Sequence, residues 1–298
     1  MKFRKIAIIA WKHQSSELAL ALQKISEWAL LHPEIEYIAS ESLKILCPPP
    51  IQVVSTENLS KVHLIIAIGG DGTMLSTARF ALQNSTPILG VNVGRVGFLA
   101  ETQVEDLQDT LDLLILGKFS TSTRLMLDIQ VYSGEKKVFS EVVLNELHIR
   151  SSKPGKMVNL EVDYNKKHLT EYWADSLLIS TPTGSTAYNL SANGPIIYPS
   201  TLAFVLTPLA PSSLSVRPLI LPATAECEIR FASKGVGLSL VFDGNSSYEL
   251  KPGERIVISK SQSVTTFIRV KSSAFVDALR EKLGWTGKPK LKTEPFSK

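Results

Sequence analysis

The chain has 298 residues, of which 44% are hydrophobic and 20% are charged, a composition that builds packed cores, predicts about two domains and excludes a disordered chain. Its 32 basic residues exceed its 28 acidic residues by a small, scattered excess, so no nucleic-acid partner is predicted. No apolar run is long enough for a membrane span. Cys47 and Cys227 match no metal or redox spacing, which favours reduced thiols and a cytoplasmic protein.

Strand and helix patterns alternate over the first part of the chain. The stretch "KIAIIAW" predicts a first strand, and helical spacing follows over residues 18–30. Leu64–Ile68 is an apolar run without alternation, which is typical of a strand covered on both faces. The stretch "PILGVN" predicts a further strand, and residues 104–116 a helix. This alternation predicts an α/β domain over residues 1–119, Rossmann-like and doubly wound.

A glycine-rich loop, "GGDGT", follows the strand at Leu64–Ile68 and precedes a helical pattern. It matches neither the dinucleotide fingerprint nor the P-loop. Gly69, Gly70 and Gly72 permit close backbone approach, and the helix start favours an anion, so we predict a phosphate loop of these glycines and Thr73. A carboxylate repels phosphate, so Asp71 either accepts a proton from an attacking hydroxyl, holds a metal, or only caps the helix.

The pattern changes near residue 120 to short strands separated by turn residues. Hairpins are predicted to turn at residues 133–134 and 165–167, and several later stretches also read as strands. Two layers of sheet can bury this many strands, so residues 120–270 are predicted to form an all-β, sandwich-like domain. Residues 271–298 begin with helical spacing, and we expect this C-terminal segment to return to the first domain.

Two polar stretches interrupt the apolar pattern of this second half. The first is "ISTPTGSTAYNLSANGPIIYP" at residues 179–199, rich in hydroxyl groups and glycine, which is also common in solvated turns. The second is the pair Asn145 and Glu146 inside "VVLNELHI". That pair either marks a site or ends a strand at the sheet surface.

The combination of "GGDGT" at 69–73, "NE" at 145–146 and "STPTGSTAYNLSANGPI" at 180–196 resembles NAD kinases, as do "NVGRVGFLAE" and the "LGW" near the end. The resemblance spans about residues 60–285. It implies transfer of a phosphoryl group from ATP or another donor to the 2′-hydroxyl of the adenosine ribose of NAD, which gives NADP. It also implies a divalent metal cation, normally Mg²⁺, and a homodimer or homotetramer in which neighbouring chains help to build the site.

The family's functional positions transfer to this chain residue by residue. Asp71 corresponds to the catalytic base that takes the 2′-hydroxyl proton, and we expect the site to be shared between the two domains. The positions that match dinucleotide-binding residues are Asp71, Gly72, Asn145, Glu146, Asp175, Thr186, Ala187, Tyr188, Asn189, Leu190, Ser191 and Ala210.

Two alternatives stay open on the sequence. Ser176 stands where family members usually have glycine, and Asn245 stands where some members have glutamine. These two departures are the reason to consider a catalytically inactive, NAD-binding regulatory protein. A lipid kinase shares a similar glycine loop. Against it stands the absence of a basic amphipathic helix that would bind a membrane.

Overall fold

The computed structural model describes residues 3–10, 15–59, 61–94, 97–231, 237–270 and 274–285. The described residues form two compact units, one drawn from residues 1–74, 89–120 and 268–298 and the other from residues 75–88 and 121–267. Parts of the predicted segments lie outside the described residues, namely Trp11 and residues 95–96, 271–273 and 286–298.

The helices and strands alternate first and then give way to strands alone. The elements up to residue 151 are β1 (Lys5–Ala10), α1 (Ser16–Leu31), β2 (Glu36–Ser40), β3 (Gln52–Val54), β4 (Leu64–Ile68), α2 (Asp71–Leu82), β5 (Ile88–Asn92), β6 (Thr102–Gln103), α3 (Leu107–Ile115), β7 (Ser120–Arg124), β8 (Leu127–Ser133), β9 (Lys136–Val143) and β10 (Glu146–Ser151). The later elements are β11 (Val158–Tyr164), β12 (Lys167–Ala174), β13 (Ser176–Ser180), α4 (Tyr188–Ser191), β14 (Ala203–Leu209), β15 (Leu219–Pro222), β16 (Cys227–Phe231), β17 (Leu238–Phe242), β18 (Ser246–Leu250), β19 (Glu254–Lys260), β20 (Thr265–Arg269) and α5 (Ala274–Leu283).

An eight-stranded sheet runs in the order β3-β2-β1-β4-β5-β20-β7, with β6 paired to β5. The pairs β1–β2, β1–β4 and β2–β3 are parallel. Every residue of β4 is at most 1% exposed, as an apolar run without alternation requires of a strand covered on both faces. Apolar residues of α1, α3 and this sheet share one hydrophobic core. The predicted α/β fold is therefore confirmed.

Two six-stranded sheets make up the β-rich part, in the orders β15-β14-β13-β10-β17-β18 and β12-β11-β16-β19-β8-β9. Neighbouring strands in both sheets are antiparallel, and apolar residues from both sheets form a second core. This is the predicted sandwich. None of the helices that the structure describes is long and apolar enough to cross a membrane.

The two predicted hairpins form with a small difference in each turn, and the second turn is one residue shorter than the predicted 165–167. Ser133 pairs with Lys136, so the first turn consists of residues 134–135, one residue later than predicted. The second hairpin pairs Tyr164 with Lys167. Its turn residues, Asn165 and Lys166, both have positive φ, the geometry that favours a two-residue connection.

Candidate nucleotide site

The glycine loop connects β4 to α2, which begins at Asp71. A Cβ on Gly69 would lie under 3.0 Å from the Thr73 side chain, whereas a Cβ on Gly70 or Gly72 would meet nothing within 4 Å. The fold itself thus requires glycine at position 69. Packing does not require it at positions 70 and 72, where the absence of side chains leaves open space at the helix start, the position that favours anions.

Asp71 directs its carboxylate to a neighbouring loop. Its Oδ2 accepts a hydrogen bond from the Phe98 N–H and its Oδ1 accepts one from the Leu99 N–H, both at 3.0 Å. The Lys282 ammonium on α5 donates to Oδ2 at 3.3 Å. Among the described residues, the Asp71 side chain accepts hydrogen bonds from these three partners outside its own helix, so the interpretation that it only caps the helix is wrong.

The loop that holds Asp71 approaches it closely. A Cβ on Gly97 would lie under 3.0 Å from Asp71 Oδ1, so a larger residue at position 97 would push the carboxylate aside. Gly97 lies within "NVGRVGFLAE", a stretch that resembles the family but in which no site residue was predicted. The hydrogen bonds link positions 27 and 28 residues apart, and a local pattern carries no signal for such a pairing.

Asn145 and Glu146 lie where the chain passes from β9 in one sheet of the sandwich to β10 in the other. The alternative of a strand end at the sheet surface is right about the strand end, because β9 ends at Val143 and β10 begins at Glu146, and wrong about the surface, because Asn145 and Glu146 are each only 7% exposed. Asp243 holds this junction in place. Its Oδ1 accepts the N–H groups of Asn145 at 2.7 Å and Glu146 at 3.0 Å, and its Oδ2 accepts the Leu144 N–H at 3.0 Å.

The hydroxyl-rich stretch packs against the same junction from the other side. The Thr181 N–H donates to the Asn145 carbonyl at 2.8 Å, and its hydroxyl donates to the Leu144 carbonyl at 2.5 Å. A Cβ on Gly184 would lie under 3.0 Å from the Asn145 backbone. The two polar motifs of the sequence are therefore in backbone contact, which explains the glycine at position 184.

Burial sets the charge states at this junction. Burial, and secondarily the charge of Asp243, raises the pKa of Glu146 to about 8, so Glu146 carries a proton at neutral pH. Burial also raises the pKa of Asp243, while the three backbone N–H groups and the Arg79 guanidinium, 3.6 Å away, act in the opposite direction. Glu146 Oε2 has no hydrogen-bond partner among the described residues.

Residues 184–191 form a short 3₁₀ turn followed by the single turn α4. Asn189 is fully buried; its amide donates to the Ser185 and Pro195 carbonyls, and its Oδ1 accepts from the Thr207 hydroxyl. Its side chain thus anchors the turn. Thr186, Ala187 and Leu190 are partly exposed on the same turn.

A cavity of about 800 Å³ opens beside α4. Four predicted site residues line it, namely Asp175, Tyr188, Ser191 and Ala210. Ala210 has φ of 45°, a left-handed conformation that is rare for a residue other than glycine. Asn145, Glu146, Thr186, Ala187, Asn189 and Leu190 are not among the lining residues, and Asp71 and Gly72 belong to the other compact unit.

Basic residues that the motifs did not predict also line this cavity. They are His148, Arg150, Lys153, Lys156 and Arg217. Burial, and secondarily the charge of Arg150, lowers the pKa of His148 to about 4, so its imidazole is neutral at physiological pH. The ring of Tyr188 meets His148 edge-on at 5.3 Å. Scattered cations in the sequence carried no signal, since their convergence depends on the fold.

A glycine loop with an aspartate at a helix start, together with a β-sandwich that contains a cavity lined by arginine and lysine side chains, defines a nucleotide-binding protein. The sequence models of the ATP-NAD kinase N-terminal and C-terminal domains match residues 14–119 and 144–270. An NAD kinase of Desulfatibacillum aliphaticivorans is 37% identical over 289 residues, which cover 95% of this chain and 99% of that protein. The chain belongs to the ATP-NAD kinase family and is a phosphotransferase.

Other relatives agree with this assignment. An NAD kinase of Geobacter metallireducens is 40% identical over 233 residues, 78% of this chain and 82% of that protein. Two solved structures share the fold. Yeast NADH kinase complexed with NADH matches with a TM-score of 0.87 at 23% identity, over 97% of this chain and 90% of that chain. An NAD kinase from Archaeoglobus fulgidus in complex with ATP matches with a TM-score of 0.71 at 24% identity, over 93% of this chain and 99% of that chain.

Proposed function

We propose that this chain transfers the γ-phosphoryl group of ATP to the 2′-hydroxyl of the adenosine ribose of NAD, with Asp71 as the base. The new bond joins the ribose oxygen to phosphorus, the bond from phosphorus to the leaving ADP breaks, and the hydroxyl proton passes to Asp71. The observation that carries this proposal is the position of the Asp71 carboxylate at the start of α2, on the open glycine loop.

Asp71 retains capacity for a substrate hydroxyl. A carboxylate offers about four lone-pair positions, and in the described part of the chain Oδ1 accepts one bond while Oδ2 accepts two. The side chain is 34% exposed. A further donor can therefore approach Oδ1. A positioned base of this kind typically contributes about 10²–10⁴-fold to the rate.

Asn145 and Glu146 are proposed to contact the adenosine end of NAD. Protonated Glu146 both donates and accepts a hydrogen bond, as does the Asn145 amide, and the unpartnered Glu146 Oε2 is a group that a ligand can satisfy. The clamp by Asp243 orients both residues. Asp175, Tyr188, Ser191 and Ala210, which line the cavity of about 800 Å³, are proposed to contact the rest of the dinucleotide. Arg150, Lys153, Lys156 and Arg217 can balance its pyrophosphate charge.

A divalent cation, Mg²⁺, is proposed to accompany the donor. The described residues hold no group of three or more His, Cys, Asp or Glu side chains that could bind a metal. Mg²⁺ is commonly held by one or two carboxylates together with substrate phosphates, and Asp71 is a carboxylate on the proposed phosphate loop. The residues therefore fit a metal that enters with the donor, where it would neutralise phosphate charge.

We also propose a cytoplasmic homodimer or homotetramer. Cys47 and Cys227 are free thiols in the described structure, as a reducing compartment allows. Trp173 on β12 and Ile220 on β15, both in edge strands, are 52% and 47% exposed, and large apolar side chains at such positions suit an interface between copies. Light scattering after size exclusion measures the oligomeric state.

The proposed activity is tested by incubating the purified chain with NAD, ATP and Mg²⁺ and measuring NADP. We expect turnover by the wild type, a fall of about 10²-fold or more in folded Asp71→Asn, and retained NAD binding in that variant. Asp109→Asn, which changes an exposed carboxylate on α3, is the control and should match the wild type. Undiminished turnover by Asp71→Asn would refute the role of the base, and NAD binding without NADP from any donor or metal would leave an inactive regulatory protein.

A further inference from the structure

Helix α5 brings a cation to the glycine loop. The Lys282 ammonium lies 3.3 Å from Asp71 Oδ2 and 4.5 Å from the centre of the Phe98 ring. The Phe98 ring in turn packs against the ring of Phe275 on the same helix, at 6.1 Å between centres. The backbone of Phe98 donates to Asp71. One aromatic residue therefore ties together the carboxylate, its supporting loop and the helix that carries Lys282.

This arrangement resolves a conflict of charge at the loop. The start of α2 and the open positions at Gly70 and Gly72 favour a phosphate chain, while the Asp71 carboxylate repels one. The ammonium of Lys282 compensates that negative charge at hydrogen-bond distance. In the described part of the chain it makes this one hydrogen bond, so two of its three N–H groups remain for a ligand. Its side chain is 29% exposed, which keeps it accessible.

We infer that Lys282 is a phosphate-binding residue of the donor site, which compensates Asp71 and binds the polyphosphate chain of the donor. The inference rests on the proposed function, since it takes the glycine loop as the place where the donor binds. The ligand chemistry is a chain of linked phosphates, as in a nucleoside triphosphate or inorganic polyphosphate. Phe98 holds the ammonium by a cation–π contact, so the lysine is pre-positioned before the donor arrives.

The experiment compares Lys282→Met and Lys282→Gln, which remove the charge, with Lys282→Arg, which keeps it. Arg280→Met is the matched control, because it removes an exposed cation from the same helix. Each full-length protein is titrated with inorganic tripolyphosphate to obtain a Kd, and KM for ATP, KM for NAD and kcat are measured. Circular dichroism measures whether each variant is folded. Two neutral variants are used so that the comparison remains possible if one of them does not fold.

We expect both neutral variants to raise the Kd for tripolyphosphate and the KM for ATP by about tenfold or more, the loss that corresponds to one charge-assisted hydrogen bond. KM for NAD should stay within about twofold, Lys282→Arg should restore most of the binding, and Arg280→Met should match the wild type. A merely structural role for Lys282 would lower stability without changing these constants selectively. Unchanged Kd and KM in the neutral variants, or an equal effect of Arg280→Met, would overturn the inference.

The same data separate this inference from the proposed function. Failure of the wild type to form NADP, together with weaker tripolyphosphate binding in Lys282→Met, would reject the proposed reaction and support the phosphate-binding role. Turnover by the wild type with the same tripolyphosphate Kd in Lys282→Met would support the reaction and reject the role of the lysine. A comparison of ATP with inorganic polyphosphate as donor identifies which phosphate chain is used.

Discussion

Replacement of Asp243 by asparagine tests how the Asn145–Glu146 junction is held. The carboxylate accepts three backbone N–H groups, and asparagine keeps the shape but has one oxygen acceptor. If that oxygen keeps the bonds to Asn145 and Glu146, the new amide N–H group faces the Leu144 N–H group. The buried, charge-assisted hydrogen bond from Leu144, worth about 1.5–3 kcal/mol, is then lost. Arg79, 22% exposed and 3.6 Å from the carboxylate, keeps its hydrogen bond to the Phe242 carbonyl but loses this ion pair, which adds about 1 kcal/mol.

We therefore expect Asp243→Asn to lower the free energy of unfolding by about 2.5–4 kcal/mol, a large share of the stability of a typical domain. Urea denaturation followed by circular dichroism measures this difference. Glu135→Gln, at the exposed turn between β8 and β9, makes the same chemical change without buried partners and should change stability by less than about 0.5 kcal/mol. A loss below about 1 kcal/mol in Asp243→Asn would refute the argument that this carboxylate organises the junction.

Two further predictions concern the same region. The pKa of Glu146 is about 8 in the folded chain, whereas its ordinary value is 4.5. As pH rises from 4.5 to about 8, the unfolded state therefore loses a proton that the folded state keeps. The free energy of unfolding falls over this pH range and is constant above it. The fall amounts to a few kcal/mol at most, and Glu146→Gln should remove it. Urea denaturation at pH values from about 5 to about 9 measures the free energy of unfolding of both proteins, and an equal pH dependence in the two would contradict the prediction. Gly184→Ala places a Cβ under 3.0 Å from the Asn145 backbone and should lower stability by about 1–3 kcal/mol, measured by thermal denaturation. Gly237→Ala, whose Cβ would meet the Ser152 side chain at 3.2 Å, is the control, and an equal effect of both would argue against a specific clash.

Much of the fold could be predicted from local patterns. The run at Leu64–Ile68, the glycines after it and the return of helical spacing after Thr73 predict a strand, a turn and a helix. All three are present, with the helix beginning at Asp71. Alternating apolar residues and turn residues likewise predicted the hairpins of the sandwich. These features depend on neighbouring positions in the chain, and periodicity reports them directly.

Ser176 replaces a glycine of the family motif, and the motif alone could not say whether this change alters the backbone. Glycine at this position would suggest a special backbone conformation, but Ser176 begins β13 and pairs with Arg150 and Leu209. Such extended backbone suits any residue with a side chain that fits. This departure therefore needs no rearrangement of the strand, and the structure gives it no link to lost activity.

The sequence by itself determined the two kinds of domain, the position of Asp71 on a glycine loop between a strand and a helix, and the motifs that indicate an NAD kinase. Only the tertiary structure decided what holds those motifs. Asp243 lies 97 to 99 residues from the N–H groups that it accepts, and Lys282 lies 211 residues from Asp71. A hydrogen bond requires atoms to meet within about 3 Å. The spacing of residues along a chain reports which face of an element is buried, whereas the meeting of such distant groups depends on the path of the whole chain.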